Sequence, residues 1–476
     1  MRVAGHLYLR DPIEMALTPH IFREYDIRGI VGADLNAEIS EQVGRAYGSL
    51  VREETGRERA RVVVGRDNRP SSPELAEALV HGIRAAGVDV LDIGTVPTPM
   101  VYWAEATRRA DGGVQVTGSH NPAEWNGIKM TAGGRSIYGD AIQGLWQRIE
   151  AGTRGSGHGG YQSEDVSVSY VADLAGRFSL PRRVKVALDC GNGSGSLVAE
   201  PLLAALGVDV IPLFCESDGT FPNHHPDPAV DENLVDLISA VREHGCELGL
   251  ALDGDADRLG VVDENGSVVR GDLILLLFGL DLLERRGPGQ KLVFDVKCSQ
   301  ALPEVFEQAG GEPIMWKTGH SLMKEKMRET GAPLAGELSG HICVGGDLYY
   351  GFDDALFDAC LLIDLLARCD GTLSTLVGAF PQYVSTPEIR VEVTEESKWA
   401  VVRAARTHFG ATHEVVDVDG VRVLFGDGWG LLRASNTQPV LVLRYEARSS
   451  ARLEEIRGTM ESFLRSQGVD LVAAVH

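Results

Sequence analysis

Residues 61–94, RVVVGRDNRPSSPELAEALVHGIRAAGVDVLDIG, carry the pattern on which the fold turns. A β-favouring run reaches Asp67 and a polar turn follows. Then comes a stretch with helical spacing, a glycine and a second short β-rich run. The same order returns at residues 184–214, VKVALDCGNGSGSLVAEPLLAALGVDVIPLF, and at residues 291–320, KLVFDVKCSQALPEVFEQAGGEPIMWKTGH. Asp189 and Asp295 stand where Asp67 stands. A strand–loop–helix–strand unit used three times is the building block of open α/β sheets.

Each unit is followed by another strand-like run that ends in a polar, glycine-containing loop. These are VQVTGSHNP (114–122), LGLALDGDADR (248–258) and PLAGELSGH (333–341). Ligands of open α/β sheets bind outside the carboxyl ends of the strands, so three such ends facing one cleft would bring these loops together. From about Val377 the pattern changes. EIRVEVTEES, a helix predicted over Lys398 to Phe409, VDGVRVLFGDGWGLLRAS and PVLVLRYEA suggest a small antiparallel sheet, and ARLEEIRGTMESFLRSQG a closing amphipathic helix. The expected architecture is α/β: three related mixed α/β domains (1–162, 163–266 and 267–376) and a C-terminal α+β domain (377–476) around a central cleft.

Composition sets the outer limits. At 476 residues the chain exceeds a single hydrophobic core. A net charge of −23 argues against a general binder of nucleic acid or anionic membrane, though a local cation cluster can still hold a small anionic substrate. Seven cysteines without Cys-x-x-Cys spacing fit a reduced cytoplasm better than a disulfide framework. The N-terminus lacks a secretory apolar segment, and the run from Leu273 to Leu280 is too short to span a bilayer. A monomer or small homo-oligomer is expected.

The loops carry the chemistry. Ser119 lies between a β-rich run and His120-Asn121-Pro122, on a stiff turn that would present its hydroxyl. Asp253, Asp255 and Asp257 alternate in DGDADR; on a strand they would share a face, and in a loop they could fold round one ion. Three oxygen ligands without His or Cys suit Mg²⁺. An EF-hand is a poor reading, because Arg258 replaces the required glycine although Glu264 stands twelfth. Arg258 beside such a site suits a phosphoryl group. RASNTQ (433–438) offers the donors of a phosphate cradle, and GELSGH (336–341) offers Glu337, Ser339 and His341 to sugar hydroxyls. GNGSG (191–195) has neither phosphate-loop spacing and reads as a structural turn, and His224 and His225 read as loop residues.

Taken in order, FREYDIRG (22–29), TGSHNP, DGDADR, GELSGH and RASNT resemble the α-D-phosphohexomutase superfamily, and within it the bacterial phosphomannomutase/phosphoglucomutase group. The resemblance implies an isomerase that interconverts hexose 1-phosphate and 6-phosphate through a phosphoserine at Ser119 and a hexose 1,6-bisphosphate. It implies Mg²⁺ on Asp253, Asp255, Asp257 and a phosphate oxygen at Ser119. Arg258 and Lys129 would act as electrostatic and acid–base helpers, with His341 and Lys129 both candidates for the general base and His120 shaping the loop. Glu337 and Ser339 would grip sugar hydroxyls. Arg433, Ser435, Asn436 and Thr437 would hold the unreacting phosphate, and Tyr25, Arg28, Lys297, His320 and His341 would line the cleft. Sugar phosphates are then the partners. Phosphoglucosamine mutase, a magnesium-dependent phosphatase and a non-catalytic sugar-phosphate sensor are the competing readings.

Overall fold

The computed structural model describes residues 18–152, 155–435 and 438–471. Four sheets follow one another along the chain. In the first, Asp89–Thr95, Arg61–Arg66 and Gly112–Val116 run parallel, and Trp125–Ala132 returns antiparallel beside the last of them. The second repeats this order with Asp209–Leu213, Lys185–Asp189, Leu248–Leu252 and the antiparallel Leu259–Asp263. The third does so with Glu312–Trp316, Lys291–Asp295, Leu334–Gly336 and the antiparallel Ile342–Val344. The threefold unit of the sequence is therefore a threefold unit of strand pairing.

This pairing decides where the loops lie. In each sheet the third parallel strand delivers the chain to its carboxyl end, and an antiparallel neighbour must leave from that same end. The connections are residues 117–124, 253–258 and 337–341, so the serine, aspartate and glutamate motifs occupy one topological position. Those are the ends at which open α/β sheets bind ligands.

The fourth sheet is antiparallel throughout. Val440–Ala447 pairs with Gly428–Ala434, Ile389–Glu392 and Val384–Ser385, and Val421–Leu424 and Glu414–Val416 extend it. The helix predicted from Lys398 starts earlier, at Glu395. Thr394 and Ser397 form a capping box there, each side chain accepting from the other's backbone N–H, which fixes the start ahead of the apolar pattern.

The first three units share one continuous core that runs from Val63 and Trp103 through Tyr170 and Leu188 to Phe294 and Phe357. Trp103 meets Tyr170 edge-on with ring centres 5.8 Å apart. The fourth unit has its own core around Phe409, Val421, Leu443 and Phe463. It joins the third through a small cluster of Val296, Trp429 and Leu431. Buried Arg422 stacks on Trp429 at 3.8 Å and donates to the carbonyls of Val296 and Cys298, both at 2.8 Å. Among the described residues no helix is long and apolar enough to cross a membrane.

Candidate active site

Ser119 sits just past Gly112–Val116 in a left-handed backbone conformation, φ 50°, which is uncommon for a residue with a Cβ. A guanidinium holds it there. Arg69, fully buried, donates to the carbonyls of Ser119 (2.7 Å), Asn121 (2.6 Å), Pro122 (2.5 Å) and Trp125 (3.2 Å), and pairs with Asp67 at 3.0 Å. The loop is wrapped round this cation so closely that a Cβ on Gly118 would lie 2.4 Å from it. Arg28 adds a bond to the Gly118 carbonyl at 2.8 Å. His120 is buried, and burial, with Arg258 and Arg28 nearby, holds its pKa well below the ordinary value, so the ring is neutral.

The acidic loop meets this serine. Ser119 Oγ lies 3.2 Å from Asp253 Oδ2. Leu248–Leu252 ends before the aspartates, so they converge through a turn rather than along a strand face. The turn is closed by Asp253 Oδ1, which accepts from the N–H groups of Asp257 (3.0 Å) and Arg258 (3.1 Å). Gly254 is needed where the two loops touch, since a Cβ there would lie 2.4 Å from the Ser119 carbonyl oxygen. Asp253, Asp255 and Asp257 are fully buried and bring ligand oxygens within 4.8 Å of one another. Lys129 Nζ bridges Asp255 (2.7 Å) and Asp257 (2.5 Å), and Thr98 Oγ1 donates to Asp255 at 2.5 Å. Asp255 Oδ1 has no hydrogen-bond partner among the described residues.

Charge shows what the cluster lacks. Burial, with Asp257 and Asp255 alongside, pushes Asp253 well above the ordinary carboxylate range. Burial would raise Asp257 too, but Lys129 and His341 outweigh it and hold that carboxyl well down. Asp253 thus stays raised even with Arg258 and Lys129 acting on it, and an all-oxygen set with an orphaned oxygen fits a hard divalent cation. Glu264, the twelfth residue from Asp253, accepts instead from Ser374 N at 3.2 Å, so no EF-hand is formed.

The third loop extends the network. His341 Nε2 lies 3.2 Å from Asp257 Oδ1 and its Nδ1 lies 3.0 Å from Glu337 Oε2, with Ser339 Oγ also 3.2 Å from Nδ1. Burial works against protonation of His341, but Asp257 and then Glu337 outweigh both burial and Arg258, raising its pKa to about 9. Arg258 Nε lies 3.3 Å from the same ring. His320 stacks on His341 at 5.4 Å and lies 3.4 Å from Asp353, which pairs with Lys324 at 2.8 Å. Glu337 also accepts from Gly319 N at 2.5 Å.

From there the network reaches the fourth sheet. Tyr25 donates to the Thr318 carbonyl at 2.8 Å, while Thr318 N donates to Asp419 Oδ2 at 3.0 Å. Arg433 Nε donates to the same oxygen at 2.6 Å. Lys297 lies 3.3 Å from Glu388 and 3.9 Å from Asp295. Ser435 Oγ accepts from Gln438 N at 3.2 Å, and Lys398 donates to the Ser435 carbonyl at 2.7 Å. Asn436 and Thr437 lie outside the described residues. A polar chain thus runs from Ser119 through Asp253, Asp257, His341, Glu337, the 318–319 turn and Asp419 to Arg433. Sequence reasoning missed Arg69, Thr98, Asp353, Lys324 and Asp419, all of which act on other side chains or on backbone through tertiary pairing. The only available signal was Asp67 at its strand end, two residues before Arg69.

Models of the phosphoglucomutase/phosphomannomutase domains match this chain in order. Alpha/beta/alpha domains I, II and III cover residues 19–155, 168–266 and 270–383, and the C-terminal domain covers 388–462. A phosphomannomutase/phosphoglucomutase of Pseudomonas putida is 45% identical over 95% of this chain and 97% of its own length. A phosphoglucomutase of Neisseria gonorrhoeae is 43% identical over 95% and 98%. The crystal structure of a phosphoglucomutase/phosphomannomutase family protein from Burkholderia thailandensis superposes with a TM-score of 0.90 at 45% identity, covering 97% of this chain and 100% of that one.

Proposed function

The chain belongs to the phosphoglucomutase/phosphomannomutase family and is a phosphohexomutase, and from that premise we propose that it works through a phosphoryl group on Ser119. The Ser119 phosphoryl group passes to the free hydroxyl of a glucose or mannose monophosphate. The P–Oγ bond breaks as a bond to the sugar oxygen forms, and the hydroxyl gives up its proton. The resulting hexose 1,6-bisphosphate turns end over end in the cleft. Its other phosphate then returns to Ser119 Oγ, the freed sugar oxygen takes up a proton, and the isomeric monophosphate leaves.

The observation that carries this reading is the 3.2 Å approach of Ser119 Oγ to Asp253, at one end of a polar chain that ends at Arg433. Mg²⁺ held by Asp253, Asp255, Asp257 and an oxygen on Ser119 would supply the positive charge that stabilises the transferring phosphoryl group. Lys129, with two carboxylates on its ammonium, serves as an electrostatic helper, as does Arg258. His341, between Asp257 and Glu337, is the acid–base candidate. Glu337 and Ser339 grip sugar hydroxyls, a pair that can be met in either orientation. Tyr25, Arg28, Lys297 and His320 line the cleft, and Arg433, Ser435, Asn436 and Thr437 hold the phosphate that is not reacting. An odd count of seven cysteines without Cys-x-x-Cys spacing supports a cytoplasmic setting.

The test is incubation of the purified protein with glucose 1-phosphate and a trace of glucose 1,6-bisphosphate. Glucose 6-phosphate is the expected product, with intact-mass analysis showing one phosphoryl group that maps to Ser119. Free phosphate without glucose 6-phosphate would replace this mechanism by hydrolysis. Comparing kcat/KM for mannose, glucose and glucosamine 1-phosphates then ranks the sugars.

A further inference from the structure

We propose that Cys190 and Cys215 form a peroxide-reactive dithiol, a modification site that closes to a disulfide directly behind the acidic loop. Their sulfurs lie 3.2 Å apart, about 1 Å from bonding distance. Backbone pairing brings them together. Lys185–Asp189 and Asp209–Leu213 are adjacent parallel strands with Asp189 opposite Leu213. The pairing continues past both ends, with Cys190 N donating to Leu213 O at 3.1 Å and Asn192 N to Phe214 O at 2.9 Å. Asn192 and Phe214 hold left-handed φ values of 56° and 49°, so the backbone beside the two thiols is fixed in an uncommon conformation.

The two thiols have different access. Cys190 is buried and Cys215 half-buried, so a small oxidant reaches Cys215 first. The Cys215 thiol, together with burial, holds the Cys190 proton on, which makes Cys190 the poorer first attacker. With hydrogen peroxide as oxidant, Cys215 sulfur takes one oxygen and water leaves, giving the sulfenic acid. Cys190 sulfur then attacks Cys215 sulfur, the S–OH bond breaks, and the hydroxide leaves with the Cys190 proton as a second water. Two thiols and one peroxide become one disulfide and two waters. A dithiol reductant reverses the change.

The position links this chemistry to the cleft through GNGSG, the segment that took no part in the site. Ser194 donates to the Gly254 carbonyl through both N–H (2.9 Å) and Oγ (3.2 Å). Asn68, from the first unit, donates to the Asn192 carbonyl at 2.7 Å and to Ser217 Oγ at 2.9 Å. Closure of the disulfide therefore pulls on a segment that supports the acidic loop from behind.

The experiment treats the reduced full-length protein with hydrogen peroxide and maps its peptides without reduction. A Cys190–Cys215 cross-linked peptide is expected, with two of the seven thiols lost and both recovered with dithiothreitol. Cys190→Ser should trap a dimedone-reactive sulfenic acid at Cys215, and Cys215→Ser should abolish the cross-link. Should either variant fail to fold, mapping of the unsubstituted protein still decides. Oxidation of Cys215 straight to sulfinic acid, or thiol loss confined to other cysteines, would overturn the site. The oxidised protein should lose mutase rate about tenfold, within the roughly 10²-fold that a 1 Å misplacement can cost. An unchanged rate in the cross-linked protein would overturn the coupling to the acidic loop.

Discussion

The loop around Ser119 and the strand end that carries Arg433 are joined by one polar chain, yet the two are held in different ways. Ser119 is gripped from inside its own turn, where Arg69 satisfies four carbonyls and an aspartate at once, and its sheet is part of the core shared by three units. Arg433 rises from an antiparallel sheet with a separate core, and its Nε donates to the Asp419 carboxylate, with the Glu388 charge also acting on it. A fully satisfied buried cation leaves its surroundings one arrangement. A cation held by exchangeable side-chain carboxylates can pass to a phosphate. This difference fits the proposed reaction, in which transfer at the serine needs fixed geometry while the distant phosphate must be accepted in two orientations of the sugar.

The sharpest way to break the contrast is Ser119→Ala. Turnover should fall on the order of 10⁴-fold or more, as when a nucleophile is removed, while the affinity for both monophosphates stays close to normal. Single-turnover and binding measurements separate these effects, and a retained rate would mean the rigid loop is not the reacting one. Next in size is Asp255→Asn, or removal of divalent cation with a chelator. Either should cost about 10²–10³ in kcat, the magnitude of a lost electrostatic stabiliser, with restoration by added Mg²⁺ expected for the chelated protein only. Arg433→Ala should weaken binding of both isomers by about 2–3 kcal/mol, the lower range for a charge-assisted contact, and should disturb kcat less. Equal loss of kcat and affinity would show that the two loops act as one rigid body.

Much of this layout was legible in the sequence because its signals are local. The strand, turn and helix of each unit lie within about thirty residues, and their periods of two and 3.6 read directly from apolar positions. DGDADR was legible because three carboxylates within five residues demand an ion or a proton. The alternative of a shared strand face was open only until the end of the strand at Leu252 was seen. Arg69 was not legible: in GRDNRPSS it reads as a solvated charge, and only the closing of residues 118–125 round it makes it a buried anchor. Thr98 is similar, since PTPMVYW reads as a helix start, and its hydroxyl gains meaning only when the second unit brings Asp255 to 2.5 Å. Asp419 and Asp353 have no local pattern, because their partners are contributed by segments distant in the chain.

The smallest expected effect tests the frame behind the serine rather than the cleft. Glu105 lies on Thr98–Arg108, the helix whose first residue holds Asp255. Its Oε2 accepts from Thr131 Oγ1 at 2.5 Å, and Oε1 has no partner among the described residues. Burial raises its pKa to about 7, with the Thr131 bond opposing the rise. The folded protein therefore keeps a proton that the unfolded chain releases near 4.5. The associated stability is complete below 4.5 and is lost as pH rises through 7. Between about pH 6 and about pH 8.5 this group alone should cost about 1 kcal/mol. Glu105→Gln, neutral throughout, should flatten that part of the profile in urea titrations at the two pH values. The mutase rate near pH 7 should stay within about twofold, since surface and frame changes away from the reacting atoms have small effects. If the substitution left the slope unchanged, the pH dependence would have to be assigned to another buried carboxyl, with Asp354, raised to about 6 chiefly by burial, the next to examine.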